Sequence, residues 1–422
     1  MTQILTARAA AELAASAGRI LIGGCTAEPT AILDAVTADP DLWTGRCLTG
    51  AFIPGVNNRD FSALGQETLV ETIFITPGLR ADRAASTVAH LPMHYSDFWT
   101  RMSRSGVVDL IMITVPPPRR DGSIGLGLTH DFAPAALAAG ARLIGVINPN
   151  MPDPAGSFAL PRARFEALVE SDDLLPVLAP SKTDATSRKI AEHVLNHLPK
   201  GGTLQLGLGK IQGAVLEALK DAKRYDVGYH AGMISDGILD WFDEGGFGQK
   251  TSGLSTGVAL GTHGFYDRLS RAVGIRYMPV NKTHTLSVLE KIPCLTAVNS
   301  VLQLDLTGQA NGEYVGGRQM SGQGGMVDFI RGARASSGGR AILALPATAQ
   351  GGAISRIVVA LPEGTPVSVS RADVDIVITE YGVANLREAS IEERAERLIA
   401  IAAPEFRDQL TNDWRQPQRP SC

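Results

Sequence analysis

The segment from Gly18 to Val36, GRILIGGCTAEPTAILDAV, reads as a short apolar strand, a glycine turn and a helix opening near Pro29. Proline suits a first helical turn, where its missing N–H would have no intrahelical partner anyway. The same grammar returns from Gly202 to Leu219, GTLQLGLGKIQGAVLEAL. Ile22-Gly23 aligns with Leu206-Gly207. TAILDA from Thr30 to Ala35 aligns with GAVLEA from Gly213 to Ala218, the second turn being one residue shorter. A strand–loop–helix unit repeated once, roughly 180 residues apart, excludes a short-period solenoid and points to two related α/β halves. The 422 residues suffice for this, since a single core rarely grows beyond about 250 to 300 residues.

Between the copies, apolar strands over Val107–Thr114 and Leu143–Val146 flank a helix opened by Pro134 and running to Ala139. Beyond the second copy, Val258–Thr262, Ala341–Leu345 and Val374–Thr379 read as further strands. Largely apolar strands belong in parallel sheets covered on both faces, so the fold class is α/β with mainly parallel sheets flanked by helices. The stretch Ser171–Thr183, broken by Pro176 and Pro180, is the expected connection, and Asp184 the expected cap of a helix to Leu198. The expected domains are therefore residues 1–183 and 184–422. Near the end, Ser390–Ile401 sets charged residues opposite an apolar stripe, as a surface helix does.

A net charge of −4 and a pI near 6.1 leave no basic footprint, which excludes nucleic acid as the expected partner. No apolar run approaches the length of a membrane span. Residues 1–24 interrupt their small apolar residues with Arg8, Glu12 and Arg19, unlike a signal peptide. The expectation is a cytoplasmic protein with no membrane partner. Cys25, Cys47, Cys294 and Cys422 form no CxxC pair, so neither a disulfide framework nor a metal site is expected.

The stretch Asn299–Ala333, NSVLQLDLTGQANGEYVGGRQMSGQGGMVDFIRGA, concentrates the remaining signals. Leu302, Leu304 and Leu306 alternate as in a strand that Thr307-Gly308 turns back. Gly322, Gly324 and Gly325 then follow within four positions. Such a loop either turns a corner or lets backbone N–H groups converge on a ligand.

The motifs SGQGGMVDFIRGA, ALPATA with SRIV, and TEYGVANLRE through ERAERLIAIAAPEFR occur in order, with GGTLQLGLG, MISDG, LDLTGQ and INPNMP before or among them. Together they resemble the acetyl-CoA hydrolase and CoA-transferase family over most of the chain. The resemblance implies two CoA-transferase-like domains with the active site between them, in a homodimer or higher homo-oligomer. It also implies a glutamate nucleophile that attacks the acyl-CoA carbonyl and passes through a glutamyl-CoA thioester. That glutamate belongs to the motif H-[ST]-E-M, which here reads His230-Ala231-Gly232-Met233-Ile234-Ser235-Asp236. Gly232 stands where the nucleophile should be and has no side chain to form an anhydride.

Other parts match. Gly325 corresponds to the last glycine of the family's oxyanion loop, a donor of a kind commonly worth about 3 kcal/mol in a transition state. An asparagine beside the nucleophile maps to His284 in PVNKTHTLSVL, placing an ionisable imidazole near the reacting centre or, equally, a histidine that satisfies a loop carbonyl. The candidate catalytic positions are thus His284, Asp236, His230 and Gly232, with Gly322, Gly324 and Gly325 binding CoA or the oxyanion. Glu28, Glu313 and Glu380 are expected to be structural. Three functions compete: hydrolysis of an acyl-CoA by directed water, CoA transfer to a small carboxylate by a non-standard route, and CoA binding without catalysis. No cofactor beyond the coenzyme A of the substrate is expected.

Overall fold

A computed structural model describes residues 2–80, 87–247 and 253–416. Two eight-stranded sheets organise the chain. The first contains β1 (Gln3–Leu5), β2 (Arg19–Ile22), β3 (Cys47–Gly50), β4 (Leu69–Thr72), β5 (Val88–His90), β6 (Leu110–Val115), β7 (Arg142–Ile147) and β8 (Ala167–Glu170). Its order is β1-β8-β7-β6-β2-β3-β4-β5, and every pairing is parallel. The second contains β9 (Thr203–Leu206), β10 (Gly228–His230), β11 (Leu254–Thr256), β12 (Ile275–Tyr277), β13 (Leu295–Ser300), β14 (Arg340–Ala344), β15 (Ile376–Thr379) and β16 (Gly382–Asn385). Its order is β12-β11-β10-β9-β13-β14-β15-β16, parallel except for the closing hairpin of β15 with β16.

The duplication legible at β2 and β9 extends through both sheets. In each, the first strand of the repeat is central, the next three run outward to one side, and the following three run outward to the other. Only the outermost strand differs: β1 comes from the start of the chain, whereas β16 folds back from β15. All six residues of β6 are buried, as a strand covered on both faces requires.

Helices supply the covering layers. In the first half, α1 (Ala7–Ala14) and α2 (Thr30–Ala38) pack Ala10, Ala14, Ile32 and Val36 on one face of the sheet. On the other face, α3 (Tyr95–Met102) and α4 (Ala133–Ala138) pack Phe98, Met102 and Ala136. In the second half, α5 (Ala185–Asn196) and α6 (Lys210–Asp221) cover one face, and α7 (Met326–Ala335) and α8 (Ile391–Ile401) the other. The expected cap at Asp184 is present, accepting from Ser187 N, and Ser390 forms a capping box with Glu393.

Three expectations need correction. The strand anticipated over Val258–Thr262 is only Val258–Ala259, pairing with Met233–Ile234 outside the main sheet, which takes Leu254–Thr256 instead. The run from Leu302 to Leu306 is a strand only over Gln303–Asp305. The two turns of the repeat also differ by more than one residue. α6 starts at Lys210, directly after the Gly207–Gly209 loop, whereas a 3₁₀ turn at Cys25–Ala27 precedes α2. Cys422 lies outside the described residues.

Candidate active site

Parallel sheets gather loops at the carboxyl ends of their strands, and the crevice beside a central strand is where such folds bind ligands. In the second half that crevice is open. A cavity of about 400 Å³ is walled by Gln205 to Leu208 after β9, by Asn299 and Ser300 at the end of β13, and by the glycine loop 321–325. Ile53, Pro54, Phe74 and Tyr95 close it from the first half. The cavity lies at the seam between the two sheets.

His284 sits at its centre. It follows the helical turn Val280–Thr283, whose Val280 is buried among first-half residues including Phe98 and Phe132. The imidazole is 4% exposed and lies between two glycines. A Cβ added at Gly232 would stand 2.7 Å from His284 Cε1 and 2.8 Å from Nε2, and one added at Gly325 would meet Cδ2 and Nε2 of the same ring. The rings of Tyr95 and Phe329 flank the imidazole with centroids 4.7 and 4.8 Å away. Nδ1 is 2.7 Å from the Thr283 hydroxyl. Burial, reinforced by nearby His230, pushes the imidazole down to about 3, so it is neutral near pH 7.

The three loop glycines are required for separate reasons. At Gly322 any side chain would collide with the Ile73 carbonyl, across the seam. Gly324 adopts φ of 56°, in the left-handed region, and a Cβ there would press within 2.8 Å of Phe74. Gly325 leaves room for His284 and is the residue before the first turn of α7. The loop is tied to the first half by Tyr95 N–H donating to Gly324 O at 3.0 Å and Ile75 N–H donating to Ser321 O at 3.4 Å. Asp328 of α7 accepts from Ser96 N and Oγ at 3.1 and 2.6 Å.

Not every sequence candidate reaches this cavity. His230 lies behind it, with Nε2 3.1 Å from the Thr283 carbonyl, where it supports the turn that carries His284. Asp236 lines a neighbouring cavity of about 430 Å³ and holds Thr262 through Oγ1 at 2.5 Å and N at 3.2 Å. The two cavities share Pro54, Leu206, Gly207, Leu208, Gln212 and Met233 as walls. Glu28 accepts from Asn57 at 2.8 Å, Glu313 from Gln319 and Ser368 at 2.7 and 2.8 Å, and Glu380 from Ala347 N at 2.8 Å. Among the described residues, no Asp, Glu, Lys or Arg lines the cavity of His284. No cluster of three metal-ligating side chains occurs among them either.

Sequence reading missed the amides of the cavity wall. Gln205 and Asn299 are buried and joined at 3.1 Å, while Gln212 donates to Ser300 Oγ at 2.9 Å. Their signal was available: Gln205 stands between Leu204 and Leu206 of a buried strand, and a buried polar side chain there needs a partner or a ligand.

The fold and site define a duplicated α/β protein that holds its ligand cavity at the carboxyl ends of paired parallel sheets. Residues 261–414 match the family model of the acetyl-CoA hydrolase/transferase C-terminal domain. The chain is 30% identical over 420 residues to 4-hydroxybutyrate coenzyme A transferase of Clostridium kluyveri, covering 98% of this chain and 97% of that protein. It is 31% identical to acetyl-CoA hydrolase of Yarrowia lipolytica, over 59% of this chain and 49% of that one. The crystal structure of RipA from Yersinia pestis superposes with a TM-score of 0.89 at 27% identity, covering 97% of this chain and 96% of that one. The chain therefore belongs to the acetyl-CoA hydrolase/CoA-transferase family, whose enzymes include both kinds.

Proposed function

We propose that this enzyme hydrolyses an acyl-CoA thioester by direct attack of water, without a glutamyl-CoA intermediate. The observation that carries the reading is the imidazole of His284 filling the space above Gly232, in a cavity with no carboxylate on its walls among the described residues. With Nδ1–H donated to Thr283 Oγ, Nε2 is left to accept a proton from water. The water oxygen bonds to the carbonyl carbon while its proton passes to Nε2. The amides of Gly324 and Gly325 hold the oxyanion. When the tetrahedral intermediate collapses, the C–S bond breaks and the proton moves to the leaving sulfur, giving the free acid and CoA. A base kept neutral by burial is also a weak one, so turnover depends on positioning more than on proton affinity.

The uncharged walls support an acyl group without a second carboxylate, since a buried anion with no cation is expensive. The adjoining cavity past Gly207–Gly209 offers room for the CoA arm. The domain division at 183/184, a homo-oligomeric state and a cytoplasmic location complete the proposal. Light scattering and cell fractionation check the last two.

A panel of acyl-CoAs incubated with and without acetate tests the chemistry. Free CoA released equally in both is expected, with no CoA adduct on the protein by mass spectrometry. Acetyl-CoA formed only with acetate would make the enzyme a transferase and overturn the reading.

A further inference from the structure

One buried carboxylate at the seam has no part in the chemistry above. Asp131 is 6% exposed, and no ion pair involves it among the described residues. It accepts a hydrogen bond from the Tyr95 hydroxyl at 2.8 Å. Beside it is a chamber of about 20 Å³ shared with Thr129, Gly23 and Gly24, room for about one water.

Tyr95 connects this carboxylate to the site. Its ring lies 4.7 Å from the imidazole of His284 at 35°, and its backbone N–H donates to Gly324 O at 3.0 Å. A second path runs through the backbone: His130 N–H donates to Gly257 O at 3.0 Å, and Gly257 N–H to Gly232 O at 3.1 Å. A Cβ at Gly257 would lie 3.2 Å from Gly232 O and 3.7 Å from Asp131 Oδ1. Asp131 therefore connects to all three parts of the site: the imidazole, the glycine loop and Gly232.

A carboxyl group buried without a cation resists ionisation, and burial pushes Asp131 up to about 7. The groups around it do not titrate there. Burial raises the Tyr95 phenol and the Cys25 thiol well above their usual values, and lowers His284 and His230. Ionised, Asp131 can only accept, so the Tyr95 hydroxyl must point at it. Protonated, it is itself a donor, and the phenol is no longer compelled to stay.

We propose that Asp131 is a positioning residue for the reaction at His284. Its charged form holds the Tyr95 phenol, and through the ring and amide of Tyr95 it fixes the imidazole and the Gly324–Gly325 loop for the thioester. Proton uptake releases both. The proposal rests on the reading that this cavity receives the thioester, and its test separates the two.

The imidazole ¹⁵N resonances of His284 are followed from pH 5.5 to 8.5 in the 422-residue chain, alongside acyl-CoA hydrolysis. His284 itself stays neutral over that range, so a shift in its resonance reports a neighbour. A transition centred near pH 7 is expected, present in the wild type and in His230→Asn and absent in Asp131→Asn and Tyr95→Phe. Hydrolysis is expected to rise about 10-fold through the same transition and to be flat with pH in Asp131→Asn. A His284 transition that survives Asp131→Asn, or no transition in the wild type, overturns the proposal. Loss of the transition in His230→Asn would assign it to His230 and overturn it as well. If no acyl-CoA is hydrolysed, the functional reading fails while the resonances still decide the role of Asp131.

Discussion

The two halves share a strand order but not a use for it. At the end of β9 the chain passes through Gly207 and Gly209 straight into α6, leaving a cavity of about 400 Å³ between β9 and β13. At the equivalent end of β2 the 3₁₀ turn Cys25–Ala27 folds back over the strand, and about 20 Å³ remains. Asn57 locks that plug: its Oδ1 accepts from Cys25 N and Ile53 N at 2.9 and 3.0 Å, while its Nδ2 donates to Cys25 O and Glu28 Oε2 at 3.1 and 2.8 Å. A carboxylate, Glu28, heads the closed crevice and is spent on structure; an imidazole occupies the open one. The contrast teaches that topology offers a ligand site at each switch point, and that a few residues of loop decide whether it is filled by protein or left for substrate.

The comparison is broken most severely by giving the open crevice its own carboxylate. Gly232→Glu alone drives a side chain into His284, and hydrolysis is expected to fall more than about 100-fold, close to 3 kcal/mol of transition-state stabilisation. Adding His284→Asn vacates the space. The double variant is then expected to form a glutamyl-CoA thioester, seen as a CoA-sized mass increase after incubation with acyl-CoA. Full activity in the single variant would mean that Gly232 does not face the reacting centre.

Next in size is the dependence of stability on acid. His284 and His130 are held down to about 3 and about 4 by burial, whereas in the unfolded chain both return to about 6.5. Between those values the unfolded state binds more protons, so stability is full above about pH 6.5 and is lost as the pH falls through the native values. Asp131 works oppositely: raised to about 7, it favours the native state at low pH and costs stability as the pH rises through 7. Urea titrations should show His284→Asn flattening the acid limb and Asp131→Asn flattening the neutral one. An acid limb unchanged in His284→Asn would mean that its imidazole is not kept neutral.

A third change tests the closed crevice. Glu28→Ala removes an acceptor from the buried amide of Asn57 and should cost about 2 kcal/mol in urea unfolding. Turnover per folded molecule is expected to stay within about twofold, because Glu28 does not line the cavity of His284. A collapse of turnover with the fold intact would mean that the first half supplies a carboxylate to the reaction.

The parts of this molecule that follow from local physics were legible in the chain. Apolar runs marked β6, β7 and β14, the turn at Pro29 marked α2, Asp184 announced α5 and the apolar stripe of 390–401 announced α8, because each signal lies within a few residues of what it specifies. The motifs likewise brought Gly232, Gly325 and His284 under suspicion. What they could not convey is that one imidazole fills the gap between two glycines distant in sequence. That depends on Val280 anchoring its turn in the other half's core. Tyr95 and Asp131 escaped notice for the same reason, since neither is unusual until the seam closes. Asp236 shows the converse. It stands four residues after Gly232 in the same motif, yet the chain turns at Ser235 into the helix Asp236–Asp243 and carries the carboxylate to the neighbouring cavity.

That displacement sets the smallest expected effect and the finest test of the comparison. Asp236 accepts from Thr262 Oγ1 and N, and Thr262 caps the helix His263–Leu269 through Phe265 N at 3.2 Å. Asp236→Asn keeps one oxygen for these donors and weakens only the charge-assisted part of the pair, about 1 kcal/mol of stability. At the thioester it changes nothing, since the carboxylate does not line the cavity of His284. Turnover at saturating acyl-CoA should therefore stay within about threefold of wild type, while KM alone moves if the CoA arm crosses the adjoining cavity. A drop of about 100-fold in turnover with KM unchanged would mean the opposite: that the two cavities act as one reacting centre, and that a carboxylate four residues along the chain from Gly232 takes part in the reaction.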